Sequence, residues 1–94
     1  MADGAEPAKT RVLAVDDDPE VLRLVSWQLR SMGYEVVEAR STTEALHILS
    51  LDESFDLLFT GLMLRHEVTG LELARRVHRA FGSRLKVQLT SDYL

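Results

Sequence analysis

Three consecutive carboxylates directly follow a short apolar run near the start of the chain. The run covers residues 12–15, and Asp16, Asp17 and Asp18 come next. An unbroken apolar run of this length is typical of a strand buried on both faces of a parallel sheet, and ligands bind beyond the carboxyl ends of such strands. Adjacent carboxylates repel each other, so a nearby cation helps to keep both ionised. Hard oxygen ligands suit Mg²⁺, which makes Asp16 and Asp17 candidate ligands of a weak Mg²⁺ site.

The third carboxylate, Asp18, is predicted to cap a helix. Pro19 follows it, and the fixed φ of proline suits the first helical turn. An aspartate before that turn can accept a hydrogen bond from a free helical N–H group. The predicted helix covers residues 19–32 and ends at Gly33, with Trp27 at the edge of its apolar stripe. The residues predicted to face inward are Val21, Leu22, Leu24, Val25, Leu29 and Met32.

The rest of the chain alternates between strands and helices. The spacing of Ser41 to Glu44, and of Thr69 to Glu72, is that of a capping box, which marks the start of a helix. The alternation predicts an α/β fold with a parallel sheet and right-handed crossovers. Strands are predicted at 34–39, 55–60 and 86–90, and helices from 41 to about 50 and from 69 to about 81, the last with Leu71, Leu73, Ala74 and Val77 inward.

Composition narrows the class of protein. Of the 94 residues, 46% are hydrophobic and 28% charged, which is typical of one globular domain. We expect a disordered lead-in over residues 1–10 and a domain over 11–94. The absence of cysteine excludes thiol chemistry, and the net charge of -4 argues against binding nucleic acid. No apolar run has membrane length, so a cytoplasmic protein that does not bind membranes is predicted.

Several stretches together resemble the receiver domain of two-component response regulators, most of all the receivers appended to hybrid histidine kinases. The resemblance implies a flavodoxin-like fold with strand order 2-1-3-4. The fifth strand of the family, its lysine and its last two helices have no counterpart in this chain. Family members accept a phosphoryl group from a kinase histidine onto an aspartate, with Mg²⁺ at the acidic pair. The matching stretches are VLAVDDDPEVL, GYEVVEARSTTEAL, FDLLFTGLML, TGLELARRV and KVQLTS.

The resemblance also assigns site residues one by one. Asp16 and Asp17 match the acidic pair, Met63 matches a position whose backbone carbonyl binds Mg²⁺, and Thr90 matches the switch hydroxyl. Gly61 occupies the position of the phosphoacceptor aspartate. Because glycine has no side chain, the prediction is a module without a catalytic residue. It would act by binding proteins, with Mg²⁺ as its one expected cofactor.

The expected partners are a histidine kinase or a histidine phosphotransfer protein. A second copy of the chain is a further expected partner. The fourth strand, with Val87 and Leu89, is predicted to lie at a sheet edge, and exposed edges pair with other chains. The flank of the first helix that carries Trp27 is the second predicted contact of this homodimer.

Two functional alternatives stay open at the level of sequence. Asp16 and Asp18 form the D-x-D pattern of haloacid dehalogenase-like phosphotransfer enzymes, in which the first aspartate is the nucleophile. The second alternative is that the chain is an inactive fragment or a mutant of a normal phosphoaccepting receiver. The plain structural interpretation takes Asp16 and Asp17 as solvated carboxylates near a helix N-terminus, and Thr90 as a strand former.

The other polar residues near the third strand are poor substitutes for a phosphoacceptor. Asp56 would lie at the wrong end of that strand, and Thr60 would point to the opposite face. The histidines, His47, His66 and His78, have no metal-ligand spacing.

Overall fold

A parallel sheet of four strands organises residues 9–61 and 70–90, the residues that the computed structural model describes. The strand order is β2-β1-β3-β4, as the resemblance implied. The strands are β1 (Arg11–Val15), β2 (Glu35–Ala39), β3 (Leu57–Gly61) and β4 (Lys86–Thr90). The helices are α1 (Pro19–Ser31), α2 (Thr42–Leu51) and α3 (Gly70–Phe81), and a 3-10 turn (Gly82–Arg84) follows α3.

The central strand β1 is buried on both faces, as its apolar run predicts. Val12 and Ala14 belong to the cluster on the α1 side, and Leu13 and Val15 to the cluster on the side of α2 and α3. None of the four is more than 2% exposed. The sheet is therefore the middle of three layers, and its carboxyl edge is held between two packed faces.

The apolar stripe of α1 differs in part from the prediction. Leu24 is 53% exposed and Met32 is 63% exposed, whereas Ser26 is fully buried. The buried positions follow the i, i+3, i+4, i+7 pattern of one helical face, which omits Leu24, while Met32 lies beyond the last helical residue. Leu71 of α3, also predicted to face inward, is 42% exposed because it lies off the buried face of its own helix. The buried residues of α1 are Leu22, Val25, Ser26 and Leu29.

Ser26 is a buried hydroxyl in an apolar layer, and its Oγ has no hydrogen-bond partner among residues 9–61 and 70–90. A buried polar atom without a partner costs about 1–3 kcal/mol. We expect Ser26→Ala to leave the free energy of unfolding unchanged or to raise it by about 1 kcal/mol, because alanine also favours the helix. Urea unfolding of this variant beside Ser31→Ala, an exposed control, measures the effect. A clear loss of stability in Ser26→Ala would mean that the hydroxyl has a partner in solution.

The start of α2 and the ends of α1 and α3 have the capping residues and glycines that the sequence predicts. Ser41 caps α2, accepting a 3.0 Å hydrogen bond from the backbone N–H of Glu44. The Glu44 carboxylate accepts a bond of 2.6 Å from the N–H of Arg40. Gly33 and Gly82 have φ of +95° and +63°, a region that glycine enters without strain. Most of the expected lead-in, and the Thr69 half of the second capping box, lie outside the described residues.

The amino edge of the sheet is held by Arg11. Its guanidinium donates to Glu35 at 2.6 Å and to Asp52 at 2.8 Å, and it lies 4.5 Å from the ring centroid of Phe55. The hydrogen bonds from Arg11, and then those from Ser54, lower the pKa of Asp52. A lowered pKa in the folded state means that this contribution to stability is present at neutral pH and is lost on acidification.

Candidate functional site

Three strand ends meet at the carboxyl edge of the sheet, on the side opposite Arg11. Asp16 follows β1, Gly61 is the last residue of β3, and Thr90 is the last residue of β4. In the parallel register Val15 pairs with Thr60, and Gly61 pairs with Thr90. Position 61 therefore lies on the strand between the acidic pair and the threonine. The structure brings together the predicted site residues that it describes.

Asp16, the first residue of the acidic pair, is fixed by hydrogen bonds with the backbone. Asp16 is 7% exposed, its backbone N–H donates to the carbonyl of Ala39, and its Oδ1 accepts a 2.8 Å bond from the N–H of Asp18. Asp17 is half-buried beside it. One carboxylate oxygen of Asp16 thus accepts a hydrogen bond from the turn before α1, and the other oxygen could bind a metal ion at this edge. Two adjacent carboxylates fit the donor chemistry of Mg²⁺, which keeps several waters and uses few protein ligands.

Asp18 serves the helix, as predicted. Its Oδ1 accepts hydrogen bonds from the backbone N–H groups of Glu20 and Val21 at 3.0 Å and 3.4 Å. Pro19 occupies the first turn. This capping role ties up the carboxylate oxygen that the D-x-D alternative would need for chemistry.

Position 61 is buried and has no side chain. Neither nearby polar residue replaces it. Thr60 is fully buried and its hydroxyl donates to the carbonyl of Gly61 at 3.2 Å. Asp56 precedes β3 and its carboxylate accepts a bond from the N–H of Arg11, at the amino edge. Thr60 therefore points to the face opposite Gly61, and Asp56 lies at the opposite edge of the sheet, in agreement with strand alternation and direction.

Thr90 has a feature that its sequence position did not indicate. Its Oγ1 is buried, and no residue in the described ranges forms a hydrogen bond with it. Buried hydroxyls are nearly always paired, so an unpaired one calls for an explanation. Strand alternation places Thr90 and Gly61 on the same face, because the two residues are in register.

The remaining predicted residues contribute nothing that the structure describes at this edge. Met63 and His66 lie outside the described residues. His47 and His78 are exposed on helices. Within 9–61 and 70–90, no group of three or more histidine, aspartate or glutamate side chains is placed to hold a metal ion. No helix in those ranges is long and apolar enough to span a membrane.

Comparison with known proteins identifies the family. Residues 12–93 match the model of the response regulator receiver domain. The chain therefore belongs to the response regulator receiver domain family, the signalling modules of two-component systems. It is 38% identical over 77 residues to the sensor protein EvgS of Escherichia coli O157:H7, which is 82% of this chain and 6% of EvgS. The chain likewise spans only 15% of the regulator GlrR of E. coli K12.

Solved structures agree with this assignment. The response regulator TrrA of Thermotoga maritima, in complex with Mg²⁺-BeF, superposes with a TM-score of 0.81 at 28% identity, over 89% of this chain and 70% of TrrA. TrrA in complex with the histidine kinase ThkA gives a TM-score of 0.79 at 28% identity, over 90% of this chain and 71% of that one. The flavodoxin-like receiver fold predicted from the sequence is confirmed.

Proposed function

We propose that this receiver domain acts by binding partner proteins and does not accept a phosphoryl group at position 61. The observation that supports this is Gly61 itself. It ends β3 in register with Thr90, one strand from the acidic pair, and presents no carboxylate. An acyl phosphate forms on a carboxylate oxygen, so a glycine there leaves the phosphoryl group without an acceptor.

Mg²⁺ binding is expected to be weak under this proposal. Asp16 and Asp17 would hold the ion, with the backbone carbonyl of Met63 as the third ligand from the chain. A carboxylate at position 61 would add a charge and a ligand, and glycine supplies neither. Hard divalent ions bind more weakly as the count of charged ligands falls.

A histidine kinase or a histidine phosphotransfer protein is the proposed partner class. Two similarities support it: TrrA was solved in complex with a histidine kinase, and EvgS is a sensor protein. The outer surface of α1 adds a physical argument, since Leu24 and Trp27 are exposed there. Exposed apolar side chains grouped on one helix are typical of a surface that contacts another protein.

Incubation of the chain with acetyl phosphate and Mg²⁺, followed by intact mass spectrometry, tests the proposal. We expect to measure the mass of the unmodified chain, because Gly61 has no carboxylate that could accept the phosphoryl group. A stoichiometric gain of one phosphoryl group that is labile in base would contradict the proposal. Denatured protein treated in the same way controls for non-specific acylation.

Self-association is the second proposed interaction, through the edge of β4 and the Trp27 flank that the sequence predicts. Val87 packs against the core cluster on the side of α2 and α3, and both Val87 and Leu89 are half-buried. Within the described residues β4 pairs with β3 alone, which leaves a backbone edge with Lys86 and Gln88 exposed beside it. The proposed contact therefore uses this edge together with Trp27.

Sedimentation velocity over a wide range of concentrations measures this association. We expect a dimer that Trp27→Ala weakens, because the exposed indole contributes apolar area. Leu51→Ala is the matched control, since Leu51 is an exposed apolar residue on α2. A folded chain that stays monomeric throughout would contradict the proposal, as would an equal effect of both variants.

The two alternatives left open by the sequence gain no support here. The phosphotransfer enzyme needs Asp18, whose Oδ1 caps α1. An inactive fragment or mutant would bind no kinase and no phosphotransfer protein, so partner binding separates it from the proposed module.

A further inference from the structure

Helix α3 concentrates positive charge on a chain that is acidic as a whole. Residues 73–91 contain five of the eleven lysines and arginines and none of the fifteen aspartates and glutamates, although the net charge is -4. Three of those five, Arg75, Arg76 and Arg79, are exposed on α3, and His78 is exposed beside them. An uneven distribution of this kind creates a local positive potential that attracts anionic partners.

The outer face of α3 presents an apolar side chain and two cations in a line. Leu73 and Val77 are buried, so the helical period places Leu71, Arg75 and Arg79 on the opposite side. The three residues follow one another at intervals of one turn, about 6 Å along the helix axis. Leu71 is 42% exposed, so an apolar contact is available at the start of this line.

The cations of this face are only partly neutralised. The carboxylate of Glu72 lies 3.8 Å from the guanidinium of Arg75 and 3.5 Å from that of Arg76. Exposed ion pairs of this length are weak, so a carboxylate from a partner can replace Glu72. Arg79 and His78 form no ion pair with any residue of 9–61 or 70–90.

We propose that this face of α3 binds an acidic helical segment of a partner protein. Two carboxylates four residues apart on the segment have the same spacing as Arg75 and Arg79, so each can pair with one guanidinium. The surface is separate from α1, which packs on the other face of the sheet, and the proposal does not depend on position 61. The residues that line the shallow groove for the segment are Ala74, Arg75, His78 and Arg79.

A protein helix fits this surface better than a nucleic acid does. DNA carries one charge per ~1.7 Å of its axis, whereas the 12 residues of α3 span about 18 Å. A long polyanion would extend beyond α3 onto the rest of the chain, which holds all fifteen carboxylates and six of the eleven cations. Leu71 can bury apolar area against a protein side chain, and a phosphate offers it no such contact.

Fluorescence anisotropy with a labelled helical peptide tests the inference. The peptide has glutamates four residues apart on one face and leucines beside them, and its matched probe has glutamine in place of glutamate. We expect saturable binding of the glutamate peptide alone, which weakens as NaCl is raised because exposed charges are screened. Arg75→Gln and Arg79→Gln should each weaken binding about two- to fivefold, since each removes one exposed ion pair. Arg23→Gln, at an exposed arginine of α1, should leave binding unchanged.

Glu72→Gln should change binding in the opposite direction. It removes the carboxylate that competes with the peptide for Arg75 and Arg76, and glutamine can keep the same place in a capping box. Binding should therefore strengthen about twofold. No binding of the glutamate peptide, or equal binding of both peptides, would overturn the inference. Equal effects of Arg79→Gln and Arg23→Gln in variants with unchanged circular dichroism would overturn it too, as would tighter binding of a single-stranded DNA oligonucleotide with the charge of the peptide.

Discussion

A Gly61→Asp variant is expected to gain the ability to be phosphorylated that the wild-type chain lacks. The change places a carboxylate at the carboxyl end of β3, in register with Thr90 and one strand from Asp16. That carboxylate can act as nucleophile toward an acyl phosphate, and Mg²⁺ at the acidic pair would offset the charge that develops. Intact mass spectrometry after incubation with acetyl phosphate and Mg²⁺ should show one added phosphoryl group.

The rate of this gained reaction should stay low. The chain has two lysines, Lys9 and Lys86, which lie before β1 and at the start of β4. Both positions are at the amino edge, so neither ammonium group can stabilise the phosphoryl group at the opposite edge. Gly61→Asn is the matched control, because it adds nearly the same volume without a nucleophilic carboxylate. Labelling of the asparagine variant, or of neither variant, would contradict the assignment of position 61.

The largest loss of stability is expected from Leu13→Ala. Leu13 is completely buried in β1, within the cluster on the side of α2 and α3. Removing a buried leucine side chain costs about 2–5 kcal/mol, because the transfer energy is lost and a cavity remains. Domains of this kind unfold with a free energy of about 5–15 kcal/mol in total, so the variant should lose a large share of its stability.

Urea unfolding followed by circular dichroism measures this loss. Leu51→Ala removes the same atoms from a residue that is 75% exposed at the end of α2, and should change the free energy of unfolding by less than about 0.5 kcal/mol. If the two variants lose equal stability, β1 is not the centre of the core. A small effect in both would mean that the core relaxes around position 13.

Much of the architecture was predictable because its signals are local. The apolar run before Asp16, the capping spacing of Ser41 and Glu44, and the positive-φ glycines each act within a few residues. These local signals were sufficient to predict the four strands and three α-helices of the described residues in their order along the chain. The boundaries were less exact: the third strand was predicted over 55–60, whereas β3 is Leu57–Gly61. The predicted start included Asp56, which pairs with Arg11 and lies outside the strand.

The sequence by itself determined which groups are available at the site, and the tertiary structure decided how they are used. The acidic pair and the glycine at position 61 are matters of residue type, so the sequence contains them in full. The buried hydroxyls of Ser26 and Thr90 depend on which faces pack together, and the contacts of Arg11 join residues up to 45 positions apart. Periodicity describes one element at a time. Burial and register arise only when separate elements pack, and only the folded chain shows them.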